Sequence, residues 1–293
     1  MNRVVLLLAV LPGASQPLAA QGLPFHTQSA LTTAFEERGL RAFSMIQRRG
    51  DVTVAVSPLV VLPFAPHQRV TTFVSLPIVY KRMSGSTEAG SVSYSNAGFG
   101  DATLSVKWAF YGRDRFRGTT RVAVILSGGL PTGSTGATFD DGGLAPPPLQ
   151  LGTGAVSGGI TLVGTLVRDR WGLNVDVGHA RHAPNDGFRF GSTTRYDVSI
   201  GFRMPAYIET IRTRTLQIYL EWNGSIAGRN NEAGNAMPNS GGHLSYLSPG
   251  LQWVLFPQLL IEGSVQIPAI QNFNGTQPDV SVRVALGLRF LFF

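Results

Sequence analysis

The chain has 293 residues, no cysteine, a formal net charge of +7, 43% hydrophobic residues and only 14% charged ones. So little charge is unusual for a soluble protein of this length, and the missing cysteines exclude disulfides and thiolate chemistry. The basic excess comes almost wholly from arginines scattered one or two to a segment, with Lys81 and Lys107 the only lysines; it forms no helix or stripe that would track nucleic acid, and anionic headgroups or anions inside a pore suit it better.

Residues 1–20 follow the plan of an export signal: Arg3 supplies the charge, Val4 to Val10 the apolar run, and Ala19-Ala20 the small-residue end. The apolar run is too short to span a bilayer and Pro12-Gly13 interrupts it, so the segment reads as an address and not as an anchor. Leu18, three residues before a cut after Ala20, is larger than the usual small residue. Residues 21–293 are then the mature domain, and none of its stretches reaches the ~18 consecutive apolar residues of a transmembrane helix.

Strand signals follow one another along the rest of the chain. Periodicity predicts twelve, at 29–36, 51–62, 69–82, 99–111, 117–130, 152–167, 171–181, 192–204, 213–227, 243–256, 259–270 and 279–292. The weakest is the first, because Phe35 to Arg49 suits a short helix or a loop as well. In the clearest, Leu216, Ile218, Leu220 and Trp222 alternate with Gln217, Tyr219, Glu221 and Asn223. In 194–204, Tyr196, Val198, Ile200, Phe202 and Met204 alternate with Arg195, Asp197, Ser199 and Arg203.

A soluble sandwich and a membrane barrel share this pattern and differ in which face meets water. Connection lengths separate them. Pro63 to Gln68, Gly112 to Phe116, Arg168 to Arg170, Pro205 to Arg212 and Pro257-Gln258 are short. The alternate ones, such as Met83 to Gly98, Pro131 to Leu151 and Gly228 to Gly242, are longer and rich in Gly, Ser, Asn and Pro. Short periplasmic turns alternating with long outer loops are the habit of outer-membrane barrels, and an even strand count returns both termini to the periplasm. The expected fold is all-β: a transmembrane antiparallel up-and-down barrel of about twelve strands in a bacterial outer membrane.

Aromatic residues expected at the membrane interfaces are Trp108, Trp171 and Trp253, with Phe110, at the periplasmic ends, and Tyr80, Trp222 and Tyr246 at the outer ends. The last strand alternates through Val284, Leu286, Leu288 and Phe290, while the terminal Phe293, a partial match to the signal read by barrel-assembly machinery, falls off that alternation. Pro58, Pro77, Pro249 and Pro268 lie inside proposed strands, where each deletes a ladder hydrogen bond. Bulges would accommodate them; alternatively, Pro249 and Pro268 on neighbouring strands mark kinks at which an apolar solute leaves sideways into the membrane.

The stretches FGDATLSVKW at 99–108, LSGGLPTGS at 126–134, LQLGTGAVSGG at 149–159, LSPGLQW at 247–253 and VQIPAIQNFNGTQ at 265–277 resemble an outer-membrane transporter family linked to the meta-cleavage pathway of phenol degradation. The similarity covers the chain from about Val52 onwards. It implies a porin-like barrel for passive uptake of small hydrophobic or aromatic solutes, and it brings no catalytic or binding residues with it.

Parity nevertheless names a lining. Lys107, Arg121, Arg195, Asp197, Arg203, Glu221, Glu262, Arg283 and Arg289 should point inward, with Asp101 and Asp176, either as a selectivity filter or as internal ion pairs that hold a narrow barrel together. Twelve strands lie between side-chain-filled small barrels and open porins, so a narrow or partly plugged lumen is expected.

Two other functions stay open, a phospholipid-modifying hydrolase and a structural barrel with a closed lumen. For the first, His243 and Ser245 have base-and-nucleophile spacing on the lipid face, but no Asn or Asp of matching parity orients the His. His179 and His182 are a poor metal pair, and Asp140-Asp141 a poor calcium loop. No metal, cofactor, nucleic acid or catalytic residue is expected. The expected partners are outer-membrane lipids and lipopolysaccharide, barrel-assembly machinery and a small-molecule solute.

Overall fold

The computed structural model describes residues 24–32, 38–87, 90–204, 215–256 and 258–292. Its strands are β1 (Arg38–Arg49), β2 (Val52–His67), β3 (Val70–Thr87), β4 (Gly90–Phe99), β5 (Ala102–Arg115), β6 (Gly118–Leu130), β7 (Ser157–Arg168), β8 (Trp171–His182), β9 (Phe188–Arg189), β10 (Thr193–Arg203), β11 (Thr215–Ala227), β12 (Asn231–Glu232), β13 (Asn235–Ala236), β14 (Gly242–Phe256), β15 (Leu259–Phe273) and β16 (Arg283–Phe292). The long strands pair antiparallel, and β1 pairs with both β2 and β16, so the sheet closes into a twelve-stranded barrel, with β4 paired on one side only, to β3.

The count of twelve holds because β4 and β5 share one stave. Ile78 of β3 faces Phe99 of β4 and Ser75 faces Thr103 of β5, with Gly100 and Asp101 as the bulge between. The short strands β9, β12 and β13 pair only with one another and tie two long connections together.

Which face is inside is decided by exposure. Glu221 and Ser248 are 0% exposed, whereas Leu286 is 65% and Leu162 55% exposed. The polar members of each alternation point into the barrel and the apolar ones form the outer band. Such a surface is stable against hydrocarbon and would drive aggregation in water.

Two-residue turns at 68–69, 116–117 and 169–170 lie at the end that also carries Arg38 and Phe292; the long connections 131–156, 183–192, 228–241 and 274–282 lie at the other. Arg117 and Asp169 adopt φ of 59° and 54°, a costly region for residues with a Cβ. Their 2.7 Å ion pair and the 2.7 Å bond from Asp169 N to Arg117 O hold both turns in that shape.

The prolines sit where the ladders falter. The β2–β3 register shifts between Val56 and Leu59, around Pro58; Pro77 lies where β3 changes partner from β5 to β4; Pro268 lies at a shift between β14 and β15. A second shift, between Phe64 and His67, lets β2 run through Pro63 and Pro66, so the expected connection from Pro63 shrinks to two residues. The expected long connection from Met83 to Gly98 is instead mostly strand, β4, whose serine-rich composition mimics a loop. The expected strand at 152–167 starts only at Ser157. Phe35 is outside the described residues, and 38–49, left open as helix or loop, is strand.

Candidate functional site

The first expected strand, 29–36, is corrected: described residues 24–32 form no strand but thread the lumen from the short-turn end. A segment without a ladder partner must satisfy its backbone groups elsewhere, and the lumen wall does this. Glu221 of β11 accepts from Phe25 N at 2.9 Å, His26 N at 3.1 and 3.2 Å, Thr27 N at 2.6 Å and Thr27 Oγ1 at 2.6 Å. Asp176 of β8 accepts from Gln28 N at 2.6 Å, and Thr165 of β7 from Ala30 N at 2.8 Å.

Cations take the carbonyls. Arg289 donates to Pro24 O at 3.2 Å, Arg41 to Phe25 O at 2.8 Å, and Lys107 to Ser29 O and Leu31 O at 3.0 and 2.6 Å. Acids of the wall therefore grip N–H groups and bases grip C=O groups. Apolar packing completes the fit: Phe25 lies with Tyr219, Ala285, Phe43 and Met45, and Ala30 with Ala109, Ala123, Ile125 and Val163. Between Ser29 and Leu31 on one side and Asn174, Ser199 and Tyr219 on the other, a cavity of about 10 Å³ is left, room for about one water.

The remaining lining residues form two further groups. Beneath the segment, Glu262 accepts from Arg41 at 2.9 Å, Arg289 at 2.6 Å and Gln252 at 2.8 Å. Towards the long-loop end, Arg283 donates to Gln266 at 2.9 Å and Gln47 at 2.7 Å, while Asp197 accepts from Asn223 at 3.1 Å and Arg195 at 3.3 Å. Arg121 pairs with Asp114 at 2.7 Å near the short-turn mouth. At that end Arg203 has buried guanidinium nitrogens with no partner among the described residues.

Sequence parity missed Arg41, because its strand was not recognised. Tyr246 is corrected: expected at the membrane interface, it is 5% exposed inside the lumen, where its hydroxyl accepts from Gln47 at 2.6 Å and Arg283 stacks on its ring. Trp108, Trp171 and Trp253 stand outward at the short-turn end and Tyr80 outward at the other; Trp222 is a half-buried member of the outer face.

The connection 131–156 folds inward over the opposite mouth. Asp101 accepts from Gly133 N at 2.9 Å and Thr153 N at 2.7 Å, Tyr94 donates to Leu149 O at 2.8 Å, and Lys81 to Pro148 O at 2.9 Å. Gly133 and Gly152 cross so closely that a Cβ on Gly152 would lie 2.4 Å from Gly133 O. A Gly152→Val variant should therefore free this connection: we expect protease cleavage within 131–156 at least about tenfold faster in proteoliposomes, with the barrel's heat resistance on gels unchanged.

The base-and-nucleophile arrangement is not assembled at His243 and Ser245. Ser245 is 0% exposed with its Oγ unpartnered, and His243 Nε2 lies 2.6 Å from Tyr196 OH. His179 is exposed on the outer face while His182 follows the inner parity of β8, so no metal bridges them. At Pro249 the β14–β15 ladder lacks two pairs, between Leu247–Ile267 and Gly250–Ser264, and then resumes in the same register. Buried Ser248, Gln266 and Asn223 fill the wall behind this break and bond one another at 2.7–3.3 Å. The geometry is a local break in the ladder, without a bulge, backed by a satisfied polar lining.

A family model described as "Putative MetA-pathway of phenol degradation" matches residues 54–290. The crystal structure of the COG4313 outer membrane channel from Pseudomonas putida F1 superimposes with a TM-score of 0.66 at 12% identity, over 93% of this chain and all of that one. The NanC porin aligns with a TM-score of 0.48 at 8% identity over 86% and 98% of the two chains. No curated protein sequence matches the chain. Identity this low attests the fold, that of outer-membrane barrels.

Proposed function

Since the chain belongs to the MetA-pathway-of-phenol-degradation family and has the fold of an outer-membrane channel, we propose that it takes up small hydrophobic or aromatic solutes passively through a lumen closed at rest by residues 24–32. The carrying observation is how that lumen is filled. A twelve-stranded barrel is wider than the eight-stranded ones that side chains alone fill. Here the centre is occupied by a separate segment held by hydrogen bonds to Glu221, Asp176, Thr165, Lys107, Arg41 and Arg289, which can be withdrawn without dismantling the wall.

In this reading residues 1–20 are a cleavable signal, the barrel-assembly machinery inserts the chain, and the short-turn end faces the periplasm. The solute class rests on the family description, and an aromatic acid small enough for a twelve-strand lumen is the natural probe. Proteoliposomes should swell in isosmotic benzoate or a hydroxybenzoate several-fold faster than in a sugar, and faster still once the segment is shortened. Equal rates for all solutes would remove the aromatic preference. No swelling even without the segment would leave only a sealed barrel.

A further inference from the structure

The outer face carries a second charged feature, on β5 to β8 at the short-turn end. There Arg115, Gly118, Arg168 and Trp171 stand opposite one another in a single row across four staves. Gly118 is buried and has no side chain, so no third side chain of that row stands between Arg115 and Arg168, which are two strand spacings, about 9.5 Å, apart. Arg113 stands on the same outward parity of β5, and Arg170 in the adjoining turn.

All four arginines are exposed. The nearby acids are engaged elsewhere, Asp169 with Arg117 at 2.7 Å and Asp114 with Arg121 at 2.7 Å on the inner side. Among the described residues, Arg113, Arg115, Arg168 and Arg170 form no ion pair. Directly above them lies the apolar band of Leu104, Val106, Leu162 and Leu166, flanked by Trp108 and Trp171, and Phe116 at the turn tip is 94% exposed. At the long-loop end Arg48 and Arg82 likewise stand on either side of one residue, but it is Thr53, whose side chain stands between them, and Arg48 Nε donates to Gly50 O at 2.8 Å; Arg181 lies apart on β8.

We propose that this row binds the phosphate of an anionic phospholipid in the adjoining leaflet, seated between Arg115 and Arg168 over Gly118, with the acyl chains against Leu162, Leu166 and Trp108. Position selects a lipid over a soluble anion, because the guanidiniums continue the lipid-facing surface at the level of the aromatic girdle. A planar guanidinium fork matches phosphate oxygens, and clustered arginines beside a membrane add their attractions.

The full-length protein, reconstituted in phosphatidylcholine with a tenth part of phosphatidylglycerol or none, would be extracted and its retained lipid measured by native mass spectrometry. Phosphatidylglycerol should be retained preferentially, and an R113Q/R115Q/R168Q variant should retain on the order of tenfold less, while R48Q/R82Q behaves as the parent does. Brominated phosphatidylglycerol should also quench the parent's tryptophan fluorescence more than brominated phosphatidylcholine does, a readout that needs no variant. Equal retention of both lipids, unchanged retention in the triple variant, equal quenching, or displacement of the lipid by millimolar inorganic phosphate would each overturn the assignment.

Discussion

Deleting residues 24–32 is expected to convert a nearly silent barrel into a steadily conducting one, with mean current in planar bilayers rising at least about tenfold, because the segment and not the wall blocks the lumen. The segment's N–H groups at 25–27 converge on one carboxylate, Glu221, and those bonds run from 2.6 to 3.2 Å. A hydrogen bond to a charged partner contributes about 1.5–3 kcal/mol. Losing even two of them in Glu221→Ala shifts the balance between seated and withdrawn states by about a hundredfold or more.

Glu221→Ala should therefore show frequent openings where the parent shows rare ones. Glu221→Gln, which keeps one acceptor oxygen, should fall between. In all three proteins the barrel should stay folded, since the ladder bonds of β11 do not involve the carboxylate. If the deleted form conducts no better than the whole chain, the segment is not the barrier and the closed state belongs to the outer connections.

Most of this wall was legible in the sequence, and the reason is geometric. Once a segment such as 194–204 is recognised as a strand, a period of two fixes which residues share a face, so Arg195, Asp197, Arg203, Glu221, Glu262, Arg283 and Arg289 are assigned inward by sequence alone. What failed was local evidence for non-local facts. Thr27, Ser29 and Ala30 have a strand-like composition, and nothing adjacent in sequence reveals that their hydrogen-bond partners lie at Glu221 and Thr165, more than 130 residues away. With the first strand misplaced, Arg41 went unseen. β4 was hidden because its serines and glycine read as turn chemistry. The proposed signal at residues 1–20, the connection from Pro205 to Arg212 and the terminal Phe293 lie outside the described residues.

Glu262 should be the costliest single position for stability. Its carboxylate has no exposed side-chain surface and sits between Arg41 and Arg289, whose side chains are 20% and 13% exposed. Among the described residues, the wall around it offers no other acid at this height: Gln252 is amide, and Glu221 is committed to the segment. Glu262→Ala would leave two guanidiniums side by side, desolvated and of like charge. Breaking a buried pair by removing one partner costs about 3–5 kcal/mol, a large fraction of a typical folding free energy.

The expected result is a lowered midpoint in urea-driven unfolding from detergent micelles and partial loss of the heat-resistant gel form. Asp197→Ala should cost less, because its partner Arg195 is 54% exposed and retains water. The same arginines hold Pro24 O and Phe25 O, so Glu262→Ala should also raise conductance, but less than Glu221→Ala, which removes the segment's own acceptor. A Glu262→Ala barrel as stable as the parent would mean that water already reaches Arg41 and Arg289, and that the lumen beneath the segment is wet.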